Sequence, residues 1–353
     1  MSSDAPTATT PFVTFVIPTY GRPEALAVTL DAVLAVDYPL DHLRVVVVDD
    51  GESAETEATV RARQDTAIDL RYVPRQHGGV AGARNLGANQ AEEGLIIFVD
   101  DDIIVERDHV RAHLLAREET GAEMINGEWE FVPSMQAELV KTAFGRFRLA
   151  VEQWVKDRIP KTALDPVRAS VGDVTACNLS VSVADFNKLG GFDETFPHAG
   201  CEDQDLSLRA ISEGYNLVYD RSIRLEHNDR RLDIRDFCER QRRGALTAVV
   251  LASKHPGLAR ANLMLRENAP GPWPHQPGAV LKRLIKSLLA TSPGLRIAHA
   301  GLRSLERVAP EARVLGRLYW MMTGVYIFAG VRDGFAAASP ERRLRLLQEI
   351  AGA

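Results

Sequence analysis

Carboxylates gathered in short clusters carry the chemical potential of this 353-residue chain. Asp49-Asp50-Gly51 closes the run Val45-Val46-Val47-Val48, and Asp100-Asp101-Asp102 closes Ile96-Ile97-Phe98-Val99. A β-branched apolar run that ends in carboxylates is how an α/β sheet presents acidic groups at the carboxyl ends of its strands. Groups placed there hold a metal or the hydroxyls of a ligand, although Asp-Asp-Gly is equally a favourable turn. Three adjacent carboxylates repel one another, so Asp100, Asp101 and Asp102 need solvent, donors or a cation to relieve their charge. Mg²⁺ or Mn²⁺ suits such oxygen ligands and is commonly shared with substrate phosphates. A solvated turn that caps the next helix is the plain alternative.

A third cluster, Cys201-Glu202-Asp203-Gln204-Asp205, follows Gly200 and leads into an amphipathic segment with Leu206, Leu208 and Ile211. That pattern predicts a helix start, where the dipole alone stabilises carboxylates, while the chemical reading is a general base. Gly78-Gly79-Val80-Ala81-Gly82-Ala83-Arg84-Asn85 gives a glycine approach to a helix. Its Arg84 fork matches phosphate oxygens, and its small residues equally suit close packing of a helix on a sheet. His227, after a short strand, offers one imidazole nitrogen to a metal, though a lone His is more often simply hydrogen-bonded.

These groups need a scaffold, and hydrophobic periodicity supplies one. Phe12 to Ile17 reads as a buried strand, followed by a helix with Leu26, Leu30, Val33 and Leu34 on one face and Pro23 in its first turn. Leu43–Val48, Leu70–Val73 and Ile96–Val99 read as further strands, separated by helices over Ser53–Gln64 and Val80–Ala91. This alternation predicts right-handed crossovers and an α/β fold with a mainly parallel sheet. From about His109 the pattern changes, and Ile125, Gly127, Trp129 and Phe131 alternate with polar residues as in a strand with one wet face. Asp233 to Lys254 reads as a long helix. Pro270, Pro272, Pro274 and Pro277 mark a stiff connector, and from Val280 the pattern is helical. The expected division is a loose tail over 1–11, a strand-and-helix part over 12–108, a mixed α+β part over 109–232, and a helical region over 233–353.

Composition bounds the function. A net charge of −6 argues against a nucleic-acid partner, which would call for a basic stripe. Three widely spaced cysteines, Cys177, Cys201 and Cys238, suggest neither a disulfide framework nor a zinc spacing, so a reducing cytoplasmic setting is expected. The N-terminal residues lack the basic start and apolar core of a signal peptide. The apolar run Leu318–Val331, between Arg317 and Arg332, falls short of the ~20 residues of a membrane span, so at most peripheral contact at the inner face of a membrane is expected. Lys282, Arg283 and Lys286, with the later apolar run Tyr319–Phe328, make the C-terminal part a candidate for homodimer formation or contact with an anionic membrane. Packing back onto the catalytic part is the alternative.

Residues 12 to 245 resemble the family 2 glycosyltransferases of the GT-A fold, inverting enzymes that use nucleotide-activated sugars. The resemblance runs through Val16-Ile17-Pro18-Thr19-Tyr20-Gly21-Arg22, Val48-Asp49-Asp50-Gly51, Ala83-Arg84-Asn85-Leu86-Gly87, Phe98-Val99-Asp100-Asp101-Asp102, Gly190-Gly191-Phe192-Asp193-Glu194 and Glu202-Asp203-Gln204-Asp205-Leu206. It implies a Rossmann-like sheet flanked by helices, with a nucleotide-sugar-binding part over 12–108, an acceptor-binding and catalytic part over 109–232 and a C-terminal helical extension. It implies that Pro18, Tyr20 and Asp50 surround the nucleobase, with Thr19, Arg22, Asp49, Gly79, Asp100 and Asp101 in the same donor-binding set and Arg84 near the base or diphosphate. It implies Asp102, Asp100 and His227 as contacts of Mg²⁺ or Mn²⁺, Asp203 as base and Glu202 as its companion. A UDP-sugar donor and a hydroxyl acceptor are the implied substrates. Gly21 stands where Asn is common in the family. Gln241-Arg242-Arg243-Gly244 lacks the Trp of the processive signature, which implies a single transfer. A nucleotidyltransferase would instead show a glycine-rich basic loop after the first strand, where this chain has Pro18-Thr19-Tyr20. A catalytically silent sugar-nucleotide or glycan-binding module is opposed by Asp102, Asp203 and Arg84.

Overall fold

The computed structural model describes residues 10–64, 67–158, 161–229, 232–271 and 277–352. Most of the expected N-terminal tail, and Pro272 and Pro274 of the expected connector, lie outside the described residues. In chain order the elements begin with β1 (Val13–Thr19), α1 (Pro23–Val33), β2 (Leu43–Asp49), α2 (Ala54–Arg61), β3 (Asp69–Pro74), α3 (Val80–Ala88), β4 (Leu95–Val99) and β5 (Ile103–Val105). There follow α4 (His109–Thr120), β6 (Met124–Phe131), α5 (Pro133–Leu139), α6 (Ala143–Arg158), β7 (Lys161–Ala163), β8 (Arg168–Val171), β9 (Asn178–Ser182), α7 (Val183–Leu189), α8 (Glu202–Ser212) and β10 (Leu217–His227). The C-terminal part is helical: α9 (Ile234–Lys254), α10 (Leu258–Ala261), α11 (Leu263–Asn268), α12 (Pro277–Leu289), α13 (Ser292–Val308), α14 (Val314–Ala337) and α15 (Pro340–Ala351). These elements form two compact units, the first from residues up to Val132 with Pro160–Thr195 and Glu202–Asp229, the second from Pro133–Ile159, Phe196–Cys201 and Arg230–Ala353.

The first unit is built on one sheet in the order β3-β2-β1-β4-β9-β6-β10-β8-β7, with β5 paired to β10. From β3 through β2 and β1 to β4 all pairings are parallel, as the alternation of strands and helices predicts. At β9 the sheet reverses, because β9 lies antiparallel to both β4 and β6 while β6 and β10 are parallel. The sheet is therefore parallel in its first half and mixed in its second. Val45 to Val48 and Phe15 to Ile17 are wholly buried, which is why these strands read as unbroken apolar runs. Helix α3 lies close on β1 and β2 because Gly87 has no side chain: a Cβ there would stand 2.4 Å from Val16 Cγ1 and 3.1 Å from Val48 Cγ2. Phe98, Phe186 and Phe192 cluster with ring centroids 5.2 to 5.5 Å apart, and burial of each contributes about 1.5–3 kcal/mol.

In the second unit α9 and α14 pack along each other, and glycines in α14 allow the approach. A Cβ at Gly330 would fall 2.0 Å from the Arg242 carbonyl oxygen, and one at Gly334 2.8 Å from Val249 Cβ. Arg242 also clasps Asp333 of α14 through Nε at 2.8 Å and Nη2 at 2.6 Å. Asp233 caps α9 by accepting the Arg235 N–H at 2.6 Å. The structure lengthens one element here and corrects one expectation. The apolar run Leu318–Val331 belongs to a 24-residue helix that is long and apolar enough by composition to cross a membrane. The stretch Tyr319–Phe328 is not an exposed interaction face, because Tyr319, Met322, Val325, Tyr326 and Phe328 are buried in the helical core. Only Trp320 and Met321 of that stretch are strongly exposed.

Candidate functional site

Every candidate residue of the sequence reading lies in the first unit, at or just beyond the carboxyl ends of β1, β2, β4 and β10 and at the starts of α3 and α8. At the end of β4, the buried Asp101 accepts hydrogen bonds from Thr19 Oγ1 at 2.7 Å and Arg22 Nε at 3.2 Å, and Arg22 Nη2 also meets its Oδ1. Arg22 Nη1 donates to Asp102 Oδ2 at 2.8 Å. Asp102 Oδ1 lies 3.2 Å from His227 Nε2, and the Asn228 N–H donates to the Asp102 carbonyl at 2.8 Å. The acidic turn is thus tied to the end of β1 and the end of β10. Burial pushes the Asp101 carboxyl up to about 7, against the pull of Arg22 and with the help of Asp102. Burial also works against the Arg22 charge, but Asp101, Asp102 and Asp100 together hold its pKa above the ordinary value.

The second constellation centres on Arg84. Its guanidinium is buried, donates from Nη1 to Glu202 Oε1 at 2.7 Å and from Nη2 to Asp100 Oδ1 at 2.9 Å, and sits 5.4 Å from the Phe192 ring centroid. A planar fork suits two carboxylates at once, which a lysine could not match. Asp203, half-buried, follows Glu202 in the first turn of α8, and its Oδ1 accepts the Gln204 N–H at 2.9 Å. Burial raises the Asp203 pKa well above the carboxylate range, and the charges of Glu202 and Asp173 raise it further while Arg84 lowers it. A carboxylate held near neutrality is suited to accept a proton. Asp173, itself raised to about 6 by burial, accepts Gln204 Nε2 at 3.1 Å. Nearby, burial pushes the Cys177 thiol up to about 12, which makes it an inert neighbour and no nucleophile.

The third group lies around β2. Asp49 accepts the Gly51 N–H at 3.1 Å, the Ser53 N–H at 2.7 Å and the Tyr72 hydroxyl at 2.8 Å, so its oxygens close the turn that starts α2. Asp50 accepts the Gly78 and Gly79 N–H groups, each at 2.9 Å, and lies 2.8 Å from His77 Nδ1 and 3.2 Å from Arg75 Nε. Gly79, at φ 97°, adopts a backbone that favours glycine, and this lets the loop wrap the carboxylate. Tyr20 is exposed, and its ring stands 4.4 Å from that of His77. Pro18 sits in β1 opposite Val48, one strand from these groups. The structure therefore brings Tyr20, Asp50, Gly79 and His77 together, and gives Asp49 to a turn.

Of the three residues expected at a metal, the structure joins Asp102 to His227 and turns Asp100 towards Arg84. Among the described residues no three His, Cys, Asp or Glu side chains gather as a ready-made cage. A carboxylate beside an imidazole is nonetheless a partial donor set that fits Mg²⁺ or Mn²⁺, ions that complete their shells with water and phosphate oxygens. The buried Nδ1 of His227 makes no hydrogen bond, and the acceptor that faces the ring is the Asp102 carboxylate at Nε2.

Sequence reasoning missed Asp173, His77, Arg75 and the Asn85 clamp. Asn85 donates from Nδ2 to the Phe192 carbonyl at 2.8 Å and accepts the Phe192 N–H at 2.8 Å, so it fastens the ring that covers Arg84. The only available signal was that Asn85 follows Arg84 directly. Nothing in the sequence spacing points from position 85 to position 192.

A sheet that is parallel at β3-β2-β1-β4 and reverses at β9, with carboxylates and an arginine fork at its strand ends, has the architecture of the GT-A fold. Residues 14–170 match glycosyl transferase family 2, and residues 164–229 match the family described as the N-terminal domain of galactosyltransferase. Over residues 14–170 the chain is thus similar to glycosyl transferase family 2. It is 30% identical over 232 residues to validoxylamine A glucosyltransferase of Streptomyces hygroscopicus subsp. jinggangensis, covering 61% of this chain and 55% of that protein. It is 28% identical over 259 residues to pre-mycofactocin glycosyltransferase of Mycobacterium tuberculosis, covering 73% of this chain and 53% of that protein. The chain spans about half the length of these curated relatives. Its fold is similar to that of a mannosyltransferase from Pyrobaculum calidifontis solved with GDP-Man and Mn²⁺, with a TM-score of 0.59 at 18% identity over 94% of this chain and 89% of that one.

Proposed function

We propose that this chain transfers a sugar from a nucleoside diphosphate sugar, a UDP-sugar in the first instance, to an acceptor hydroxyl by one direct displacement that inverts the anomeric carbon. The observation that carries the reading is the buried Arg84 fork, which joins Asp100 to Glu202 next to Asp203. In the step, the acceptor oxygen bonds to the anomeric carbon as the bond from that carbon to the diphosphate oxygen breaks. The electron pair leaves with the diphosphate, and the acceptor proton goes to Asp203. Arg84 offers fixed positive charge where negative charge develops, in a site that water does not screen. Glu202 holds Arg84, and Phe192 covers it. Tyr20, with Asp50, His77 and Gly79 behind it, gives a base-stacking edge at the open end of β1.

Asp102 and His227 are the residues that would hold a divalent cation. When bound, the cation supplies charge neutralisation for the leaving diphosphate. The relatives support a sugar-transfer reading, since both named above are glycosyltransferases. A reducing cytoplasmic setting is part of the proposal, and the three free cysteines accord with it. The acceptor is left as a hydroxyl compound.

The test is a panel of UDP-, GDP- and dTDP-sugars, scored first by protection against thermal unfolding and then by single-turnover transfer. Protection by one nucleotide class with release of the matching diphosphate is the expected result. Protection without turnover in any acceptor mixture, water included, would replace transfer with a binding role.

A further inference from the structure

Helix α12 is inverted with respect to the unit it belongs to. Leu281, Leu284, Ile285 and Leu288 recur at the spacing of one helical stripe, and all are 40 to 71% exposed. Two of the three basic residues of the same helix turn inward, while Lys282 is exposed. Lys286 Nζ donates to Asn268 Oδ1 at 2.8 Å, and Arg283 Nη2 reaches the carbonyls of Ala269 at 3.3 Å and Gly271 at 3.2 Å. No residue of α12 is buried. A helix that hydrogen-bonds two of its three cations to the protein and leaves its leucines in water is placed to offer those leucines to something else.

Helix α13 packs beside α12 and is itself basic. Arg296, Arg303 and Arg307 are exposed and share one stripe at i, i+7 and i+11. Ile297 and Val308, also eleven residues apart, are 72 and 81% exposed on the neighbouring stripe. Leu302 and His299 hold the opposite face in the core. Residues 277–313 contain seven Lys and Arg against two Glu, inside a chain whose net charge is −6. One of those two, Glu306, accepts the Tyr319 hydroxyl at 2.6 Å, and the other, Glu311, pairs with Arg146 at 2.9 Å.

The geometry points to α12 and α13 as a docking surface for an anionic lipid bilayer, with the leucine stripe at the acyl boundary and the arginine stripe on lipid phosphates. A second copy of the chain is the weaker occupant. Two-fold pairing of this surface would set its arginines against their own copies, whereas an anionic lipid surface accepts apolar and basic stripes together. The site chemistry described above plays no part in this inference.

The full chain should co-sediment with phosphatidylcholine vesicles containing roughly one-third phosphatidylglycerol and stay in solution with phosphatidylcholine alone, with binding that weakens as salt rises. The double substitution Leu284→Glu with Leu288→Glu, at exposed positions, should lower vesicle binding at least tenfold while the thermal transition and nucleotide-sugar protection persist. Arg303→Glu with Arg307→Glu should act in the same direction and reduce the salt dependence. Absence of binding to the anionic vesicles would overturn the inference, as would binding that the leucine substitutions leave intact. A dimer in light scattering that Leu284→Glu with Leu288→Glu dissolves, without vesicle binding by the parent chain, would assign the surface to a second copy instead.

Discussion

Arg84 and Glu202, 118 residues apart, meet in a buried ion pair with Nη1 to Oε1 at 2.7 Å. This contact divides the labour of the acidic pair at the start of α8. Glu202 is committed to the arginine, while Asp203 beside it carries the raised pKa. Two neighbouring carboxylates with different surroundings take different roles, by the same logic that separates an acid from a base in other sites.

Substitution should therefore separate them. Asp203→Asn keeps shape and hydrogen bonding but removes the basic oxygen, so single-turnover transfer is expected to fall by ~100-fold or more with donor affinity retained. Glu202→Gln leaves the buried Arg84 charge short of a partner, and loss of one member of a buried pair costs about 3–5 kcal/mol. Its main effect should appear as a lowered thermal midpoint and weaker donor binding. Calorimetry with single-turnover kinetics on both variants checks the division, and near-normal transfer by Asp203→Asn would remove that residue from the chemistry.

The pH profile of transfer follows from the same residue. A base must be deprotonated to act, and the folded-state pKa of Asp203 is raised by burial and by Glu202 and Asp173. Activity should consequently fall on the acid side at a pH above the ordinary carboxylate range. Asp173→Asn removes one of the negative charges that raise it, so the acid limb should move to lower pH. A limb that stays in place after this substitution would mean that another group titrates there.

The proposed metal dependence rests on Asp102 and His227. Chelation should stop transfer, and Mg²⁺ or Mn²⁺ should restore it. Asp102→Ala should cut metal-stimulated turnover by ~100-fold or more. It also removes one carboxylate partner of Arg22, so its stability must be measured beside its activity. His227→Ala should raise the metal concentration needed for half-maximal rate. Asp100→Asn, whose partner is Arg84, should affect donor binding more than metal demand. Full activity of Asp102→Ala in chelator would exclude the metal role.

The strand-end positions were legible in the sequence because period, turn residues and charge coincide there. Val45–Asp50 and Ile96–Asp102 each announce a buried strand and what stands at its end. Contacts across long separations left no such trace. Asn85 on Phe192, or Gln204 on Asp173, needs the folded chain to bring the partners together. The reversal at β9 was hidden because Asn178-Leu179-Ser180-Val181-Ser182 is short and carries no mark of direction. Helix α14 misled for a different reason: its 24 residues are apolar on most sides, and composition cannot tell a core helix from an exposed one. The inverted helix α12 shows the converse, since its amphipathic pattern was visible while the direction of each face was set by Asn268 and the carbonyls of Ala269 and Gly271.

Gly87 supplies a packing test independent of catalysis. An added methyl would enter within 2.4 Å of Val16 Cγ1 and 3.1 Å of Val48 Cγ2, against two strands that are buried on both faces. Overpacking of this kind costs about 1–3 kcal/mol. Gly87→Ala should lower the thermal midpoint accordingly and shift α3, and with it Arg84, away from the sheet. An unchanged midpoint would show that α3 can move without cost.

Acid stability turns on two buried histidines. His109 and His113 have ring centroids 4.7 Å apart, and His113 Nε2 lies 3.0 Å from Asn178 Oδ1. Burial lowers the His113 pKa to about 4 and takes that of His109 well below its ordinary value, with His113 contributing to the lowering. Because the folded pKa is depressed, the unfolded chain takes up a proton first as pH falls through about 6.5. Stability from His113 is whole above that pH, declines towards pH 4 and then levels off, and His109 acts in the same direction. The raised carboxyls oppose the trend: Asp101 at about 7 and Asp173 at about 6 bind protons more readily in the folded chain. The pair is isolated by difference. His113→Gln should cost stability at pH 7.5, and the gap between parent and variant should narrow by a few kcal/mol at pH 4.5, since each tenfold difference in proton affinity between the folded and unfolded chain is worth about 1.4 kcal/mol. Chemical denaturation of both proteins across that range measures the gap, and a gap independent of pH would mean that His113 is protonated alike in the folded and unfolded chain.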